Sequence, residues 1–325
     1  MRRREFITLI SGATLSYSID AQAQKEPARL GFLGSGAAES SAILLEGLKD
    51  GLRENGLIEK RDYIIDVRWA NGAYDRFPAF AHELAQSNPR VILVTTIAAA
   101  RAAQRLIPPI PVVMTGLINP VDAGLIKSLA RPGGNTTGVS SMIQDVTTKS
   151  LEFLLAIVPK AAVIAALYNP ANPTNRPMFD EAQTYAAGRG VKLQAVEFKS
   201  PAELDGTFAA LVNGHPDALL IISDATLIDL RERVAALSLQ ARIPMSSSIP
   251  EMTDAGALIG YGPPRRDFYR RSATYVKKIL DGANPADLPV EQPTLIEMSL
   301  NLKTAKVLGI TLPDALSARA DRVIE

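Results

Sequence analysis

The chain has 325 residues, 47% of them hydrophobic and 21% charged, which is typical of a globular protein and excludes a largely disordered one. Its 35 basic side chains (Lys and Arg) nearly balance its 34 acidic ones (Asp and Glu), so it lacks the net positive charge that attracts nucleic acid or an anionic membrane surface. The sequence contains no cysteine, which excludes disulfides and cysteine-bound zinc, and its two histidines lie too far apart to indicate a metal site.

The first 23 residues have the features of an export signal. Residues 2–4 are three arginines, residues 6–19 are moderately apolar, and Ala21, Gln22 and Ala23 form a small-residue cleavage site. The order Arg3, Arg4, Glu5, Phe6 is typical of the twin-arginine type. We therefore predict a signal peptide over residues 1–23, cleavage near Ala23 and a periplasmic location for the mature protein.

Short apolar strands alternate with amphipathic helices through the first half of the remaining chain. This alternation requires right-handed crossovers and predicts a parallel sheet covered by helices on both faces. The predicted strands are 29–33, 63–69, 90–94 and 111–114, and the predicted helices are 40–55, 74–86, 98–106 and 120–129.

Residues 131–140 (RPGGNTTGVS) break the helical pattern, and we interpret them as a crossover between two lobes. The same alternation then begins again and predicts a second parallel sheet. Its predicted strands are 162–167, 191–198, 217–222, 243–245 and 257–261, and its predicted helices are 147–157, 177–187, 202–212 and 227–240.

The C-terminal part is predicted to cross between the lobes twice more. A helix over 267–280 would pack on the first lobe before a strand at 294–298 and a helix at 302–308. Arg265, Arg266, Arg270 and Arg271 lie near helical spacing, which is typical of a solvated helix face. The fold class is therefore α/β, with two Rossmann-like lobes that have parallel sheets and share a three-crossover hinge. The expected lobes comprise 28–135 plus 264–288 and 139–261 plus 292–325. The expected hinge residues are Thr137, Gly138, Gly260, Gly262 and Pro289.

Polar and aromatic side chains are predicted at the carboxyl ends of the strands, where open parallel sheets bind ligands. Hydroxyl groups and helix N-termini suit a carboxylate, an aspartate suits an ammonium group, and tyrosines cover an apolar body. Some of the same residues fit equally well as helix N-caps. The candidates are Ser35, Thr95, Thr96, Thr115 and Asn119 on one wall and Tyr168, Asn169, Asp224, Ser246 and Tyr261 on the other.

The sequence gives little support to an enzyme. Gly34 and Gly36 begin a dinucleotide-binding pattern, but Glu39 replaces its third glycine with a charge that opposes a pyrophosphate. No serine-nucleophile elbow or phosphate loop occurs, and the pairs Asp224/Asp229 and Asp62/Asp66 lack an apolar setting for acid–base work. We predict no catalytic residue, cofactor or metal. An exported enzyme with a nucleotide-binding first lobe remains the alternative, and a DNA-binding regulator is disfavoured by the export signal.

Several segments resemble a bacterial family of extracytoplasmic solute-binding proteins of ABC importers, in the branch whose better-known members bind tryptophan or tyrosine. The resemblance implies a type I periplasmic binding fold, closure on a small solute, delivery to an inner-membrane permease, a monomer and no nucleic-acid partner. The segments that carry it are 47–56, 119–125, 131–140, 166–170, 223–226 and 282–290.

The resemblance also implies roles for individual residues. Ser35, Thr96 and Thr115 would hold a ligand carboxylate, and Asp224 would hold an ammonium group. The chain departs from amino-acid-binding members at Ile118 and Asn119, where such members often have threonine and aspartate, and at Ala225, where an asparagine often follows the acid. Since both changes remove polar groups, the expected ligand is an amino acid or an aromatic or aliphatic carboxylate.

Overall fold

The structure, a computed structural model, describes residues 26–141 and 143–325. The predicted signal peptide lies outside the described residues. Within those residues, no helix is long and apolar enough to cross a membrane.

The first lobe is built on a parallel sheet with the strand order β2-β1-β3-β4-β5. Its central strand β3 (Val91–Val94) is a continuous apolar run that is buried throughout, because helices cover both faces of the sheet. The other strands are β1 (Ala28–Gly34), β2 (Tyr63–Trp69), β4 (Val112–Ile118) and β5 (Thr136–Ser141), and the helices between them are α1 (Ala42–Glu54), α2 (Phe77–Gln86) and α3 (Ile97–Gln104).

The second lobe repeats this plan with the strand order β12-β11-β10-β9-β8-β6-β7. Its strands are β6 (Val163–Tyr168), β7 (Lys192–Glu197), β8 (Ala218–Ile221), β9 (Met245–Ser247), β10 (Ile259–Gly262), β11 (Glu297–Asn301) and β12 (Arg322–Ile324). Its helices are α4 (Ile143–Ile157), α5 (Asn175–Ala187), α6 (Leu204–Asn213), α7 (Ala225–Asp229), α8 (Arg231–Gln240), α9 (Met252–Ala255), α11 (Leu302–Leu308) and α12 (Asp314–Ser317), whereas α10 (Arg265–Leu280) belongs to the first lobe. The predicted α/β fold with two lobes is confirmed. The strand pair β10–β11 is antiparallel, which the sequence analysis did not predict, and β12 was also missed.

Two predicted elements of the first half were wrong. The stretch 131–140 is not simply a connection, because its second half forms β5 and pairs in parallel with β4, so that the chain crosses to the second lobe after Ser141. The helix predicted over 120–129 is a series of turns, in which Asn119 (φ 45°) and Gly124 (φ 68°) have left-handed backbones that interrupt a helix. In the second lobe, the helix predicted over 227–240 is divided at Leu230 into α7 and α8.

The chain returns to the first lobe as α10 (Arg265–Leu280), as predicted, and packs against α1. Two glycines on α1 allow this close approach. A Cβ atom at Gly51 would lie 2.1 Å from the carbonyl oxygen of Arg270, and one at Gly47 would lie 2.7 Å from the Arg266 side chain. The two helices therefore hold the N-terminal end of α10 at a fixed place beside the cleft.

The first and third connections between the lobes run side by side. Glu291 donates its N–H to the Gly138 carbonyl (3.0 Å) and accepts a hydrogen bond from the Ser140 N–H (2.8 Å). The Thr137 hydroxyl donates to the Leu288 carbonyl at 2.7 Å. Of the other expected hinge residues, Pro289 lies in the third connection, and Gly260 and Gly262 lie within β10 at the start of the second. Their role as pivots stays a prediction.

Candidate functional site

A cavity lies between the two lobes, at the carboxyl ends of the strands in both sheets. It has a volume of about 100 Å³. Of the residues predicted from the sequence, Ser35, Thr95, Thr96, Thr115 and Asp224 line it. Its apolar lining comes from both lobes and includes Ile97, Leu117, Ile118, Ile228, Ile249 and Phe268.

The first lobe contributes hydroxyl groups that the backbone holds in place. Thr95 Oγ1 accepts a hydrogen bond from the Ser35 N–H at 3.0 Å and lies 3.2 Å from Ser35 Oγ. The Thr115 hydroxyl donates to the Val94 carbonyl at 2.9 Å. Thr96 is the N-cap of α3, and its Oγ1 accepts from the Ala99 N–H at 3.2 Å. The wall is therefore a polar surface whose threonine side chains are hydrogen-bonded to the backbone.

The second lobe contributes Asp224, which is 1% exposed and is the N-cap of α7. Its Oδ1 accepts from Asn169 Nδ2 (3.2 Å) and from the Thr226 N–H (3.0 Å). Its Oδ2 accepts from Asn172 Nδ2 (3.0 Å) and from the Tyr74 hydroxyl (3.0 Å). A carboxylate has about four acceptor positions, so these four donors occupy all of them.

The hydrogen bond from Tyr74 to Asp224 crosses the cleft, because Tyr74 follows β2 in the first lobe. Burial raises the pKa of the Tyr74 phenol well above its ordinary value, and the negative charge of Asp224 raises it further. The phenol therefore remains protonated and donates to the carboxylate. This hydrogen bond links the two lobes at the edge of the cavity.

Asp229 makes a second link across the cleft, from the end of α7 to the loop before α1. Its Oδ2 accepts from the Ala37 N–H at 2.7 Å, and its Oδ1 accepts from the Ser40 hydroxyl. Burial raises the pKa of this carboxyl above the ordinary 3.8, and the two hydrogen bonds oppose that effect only in part. A Cβ atom at Gly36 would lie 2.8 Å from Asp229 Oδ2, so the glycine permits the close approach.

The partial dinucleotide pattern thus has a different explanation. Gly36 makes room for Asp229, and a Cβ atom at Gly34 would lie 2.1 Å from the Trp69 ring. Both glycines are required by packing within this protein, and neither needs a bound pyrophosphate to explain it.

Arg265 also lines the cavity, from the first residue of α10. The sequence analysis placed it with its neighbours on a solvated helix face, which was wrong for this residue. Arg266 and Arg270 do face outward and pair with Asp50 and Glu54 on α1.

Arg265 is half-buried, and no described carboxylate lies within 4.0 Å of its guanidinium nitrogens. Its backbone N–H donates to Glu251 Oε1 at 3.4 Å, and its charge opposes the burial that raises the pKa of the nearby Asp229 carboxyl.

The remaining predicted residues lie away from the cavity lining. Tyr168 donates to Glu197 (3.2 Å), Ser246 donates to the Ser150 carbonyl (3.1 Å), and the Tyr261 ring packs edge-on against Phe153. Asn169 contacts Asp224 from behind, and Asn119 lines a neighbouring depression. The sequence analysis missed Tyr74, Asn172 and Arg265. The strand-end rule could have found the first two, because they lie in the segments that follow β2 and β6.

Comparison with known proteins places this arrangement among proteins that have the same two-lobed fold. The model of the family described as ABC transporter substrate binding protein matches residues 38–324. A tyrosine-binding protein from Clostridioides difficile (strain R20291) is 25% identical over 265 residues, which cover 82% of this chain and 76% of that protein.

Two solved structures share the fold over nearly the whole chain. An ABC domain from Streptococcus pneumonia in complex with L-Trp is 26% identical, with a TM-score of 0.82 over 92% of this chain and 100% of that one. A ligand-free, open substrate-binding protein from Clostridium difficile is 24% identical, with a TM-score of 0.63 over 91% of this chain and 99% of that one. The agreement is greater with the L-Trp complex than with the open protein.

Proposed function

The chain belongs to the ABC transporter substrate-binding protein family, and on this premise we propose that it captures an amino acid or an aromatic or aliphatic carboxylate by closing its two lobes around it. Proteins of this family bind a small molecule outside the cytoplasm and work with a permease. They are not enzymes, so the alternative of an exported nucleotide-dependent enzyme is not supported.

The observation that carries the proposal is the cavity closed by hydrogen bonds from both lobes. Tyr74 and Ser40 of the first lobe donate to Asp224 and Asp229 of the second, so the lobes in this structure are in contact around a polar pocket. A ligand that touches both walls favours this arrangement over a separated one, because it gains its full set of contacts only when the lobes meet.

The chemistry of the lining supports the class of ligand. Hydroxyl groups, the N-terminus of α3 and Arg265 suit a carboxylate. The apolar side chains opposite them suit an aliphatic or aromatic body. The named ligands of the relatives, tyrosine in one case and L-Trp in the other, agree with a carboxylate that has an aromatic side chain.

The proposal includes the place and partners of the protein. Residues 1–23 would direct export to the periplasm and be cleaved near Ala23, and the mature protein would act as a monomer without nucleic acid. The first connection, after Ser141, and the connections near residues 262–265 and 288–296 would form the hinge, with Thr137, Gly138, Gly260, Gly262 and Pro289 as pivots in or beside them. The strand pairing favours lobe boundaries that place residues 136–141 in the first lobe.

Titration calorimetry together with small-angle scattering tests this function. The mature chain is titrated with a panel of amino acids and of aromatic and aliphatic acids, and its radius of gyration is measured with and without each compound. We expect at least one compound to bind, and we expect binding to stabilise the compact form. If no compound in the panel binds or changes the scattering, the proposed function is wrong.

A further inference from the structure

We propose that the ligand is a carboxylic acid without a free α-ammonium group, and that Arg265 binds its carboxylate. This inference rests on the proposed function and narrows the class of solute. It predicts that the protein prefers an acid to the amino acid that has the same side chain.

The acid that would have to accept an ammonium group is Asp224. Asp224 is the carboxylate among the described residues that line the cavity, and two donors already occupy each of its oxygens. An ammonium group brings three more donors. To reach Asp224 it must displace Tyr74 or an asparagine, which leaves a buried donor without its acceptor and weakens binding.

The charge at the cavity also favours a ligand without an ammonium group. Arg265 is the cationic group among the described residues that line the cavity, and none of them places a carboxylate within 4.0 Å of its guanidinium nitrogens. Its backbone N–H donates to Glu251 Oε1 at 3.4 Å, and Asp229 lies near enough for the guanidinium to oppose the rise in its pKa that burial causes, but neither carboxylate lines the cavity. Burial raises the pKa of the neighbouring Tyr269 phenol, so that phenol remains neutral and does not offset the guanidinium charge. A half-buried guanidinium repels an ammonium group and attracts a carboxylate, which it can bind through two parallel hydrogen bonds.

The threonine hydroxyl groups that line the cavity differ in whether they can donate to a ligand. The Thr115 hydroxyl donates to the Val94 carbonyl, and the Thr95 hydroxyl lies within reach of the Leu33 carbonyl and Ser35 Oγ. These protons are therefore directed toward the protein. The Thr96 oxygen accepts from the backbone, which leaves its proton free to donate to a ligand oxygen. Donors for a carboxylate thus remain at Thr96 and Arg265, while the charged acceptor for an ammonium group is already filled.

Pairs of compounds that differ only in the ammonium group test the inference. Calorimetry would compare 3-(indol-3-yl)propanoate with L-tryptophan, 3-phenylpropanoate with L-phenylalanine, and 4-methylpentanoate with L-leucine. For the pair whose body fits the cavity, we expect the acid to bind at least about tenfold more tightly than the amino acid, which corresponds to the loss of one charged contact.

Variants of two adjacent arginines identify the group that holds the carboxylate. Arg265→Gln should weaken binding of the preferred acid by about tenfold or more, and Arg265→Lys should restore part of that loss because it keeps the charge. Arg266→Gln removes the same charge one residue along, at the surface, and should leave the affinity unchanged. Thermal unfolding of each variant confirms that it is folded.

The outcomes separate this inference from the proposed function. If an amino acid binds as tightly as its deaminated partner, or more tightly, the inference is wrong and the proposed function stands. The assignment of Arg265 fails if Arg265→Gln and Arg266→Gln bind the acid equally well. Absence of binding by every member of the three pairs and of the wider panel would overturn both proposals.

Discussion

At the residue scale, Asp224 has a larger role than a single contact with a ligand. It caps α7, and it accepts hydrogen bonds from both lobes at once. The sequence indicated that this aspartate lies at the end of a strand, but it could not reveal that Tyr74, 150 positions earlier in the chain, would donate to it. Contacts between lobes depend on the angle at which two sheets meet, and no local pattern encodes that angle.

Substitution of Tyr74 tests the link across the cleft. Tyr74→Phe keeps the ring and removes the donor, which leaves one oxygen position of buried Asp224 unfilled. A hydrogen bond to a charged group contributes about 1.5–3 kcal/mol, so we expect ligand affinity to fall by about tenfold or more. Calorimetry with the bound compound measures this loss.

The matched control is Tyr168→Phe, which also removes a hydroxyl that donates to a carboxylate, here Glu197. Both partners belong to the second lobe, so ligand affinity should not change. Equal effects of the two substitutions would show that Tyr74 does not act by joining the lobes.

The raised pKa of the Asp229 carboxyl predicts how the stability of the folded protein depends on pH. Burial raises the pKa of this carboxyl in the folded protein above the ordinary 3.8, so the folded state binds the proton more tightly than the unfolded state does. The stability that Asp229 contributes is fully present below its pKa in the unfolded state, and it is lost as the pH rises through its pKa in the folded state. Asp229→Asn cannot ionise and keeps an acceptor for the Ala37 N–H.

Urea unfolding of the protein and of Asp229→Asn between about pH 4 and about pH 7 measures this effect, because the difference between them cancels the other titrating groups. We expect the stability of the protein relative to the variant to decrease as the pH rises. A difference that is independent of pH, or that increases with pH, contradicts the raised pKa.

The strand-end rule explains only some of the site predictions. Thr95 directly follows β3 and lines the cavity, as the rule predicts. Thr115, Ser246 and Tyr261 all lie inside their strands. Thr115 lines the cavity beside the register shift between β4 and β5, whereas Ser246 and Tyr261 contact groups of the second lobe. Arg265 was missed because a run of arginines at helical spacing is typical of a solvated face, and only the packing of α10 turns the first of them toward the cleft.

At the element scale, the contact between α1 and α10 depends on glycine. A Cβ atom at Gly51 would lie 2.1 Å from a backbone carbonyl of α10, and a backbone atom cannot move aside as the end of a side chain can. We expect Gly51→Ala to push the helices apart and to lower the free energy of unfolding by about 1–3 kcal/mol, as overpacked cores do. Thermal or urea unfolding measures the change.

Gly206→Ala is the control for this substitution. Gly206 lies in α6, and a Cβ atom there would have no neighbour within 4 Å. Alanine should therefore stabilise the helix by about 0.5–1 kcal/mol, because it restricts the unfolded chain. A Gly51→Ala protein as stable as the Gly206→Ala protein would mean that α1 and α10 are not packed this closely.

Most helices and strands could be predicted because the spacing of hydrophobic residues along the chain alternates between the period of a strand and the period of a helix. The exceptions have local causes. Gly133, Gly134 and Gly138 indicated a connection, yet Gly138 at φ 127° lets β5 approach Met114 on β4, where a Cβ atom would lie 2.4 Å from a backbone oxygen. Glycine breaks a helical pattern in either case, so the sequence could not distinguish a loop from a close-packed edge strand.

At the scale of the whole molecule, we expect contacts at the hinge and contacts at the cleft to have different roles. The pairing of Glu291 with Gly138 and Ser140 joins two neighbouring connections, so we expect it to persist when the lobes rotate. The contacts of Tyr74 and Ser40 with Asp224 and Asp229 join opposite walls of the cleft, so we expect them to break when the cleft opens. The balance between open and closed forms should therefore respond to changes at the cleft and not to the stability of either lobe.

The double variant Tyr74→Phe/Asp229→Asn tests this separation in the absence of ligand. It removes a donor from one link and the charge from the other, while both lobes keep their cores. We expect its radius of gyration by small-angle scattering to exceed that of the unmodified protein, and saturating ligand to restore the compact value, because the ligand supplies contacts to both walls. Circular dichroism should show unchanged helix and strand content. If the double variant has the same scattering as the unmodified protein without ligand, the two links do not govern closure, and the energy that joins the lobes must come from the hinge or from the apolar lining of the cavity.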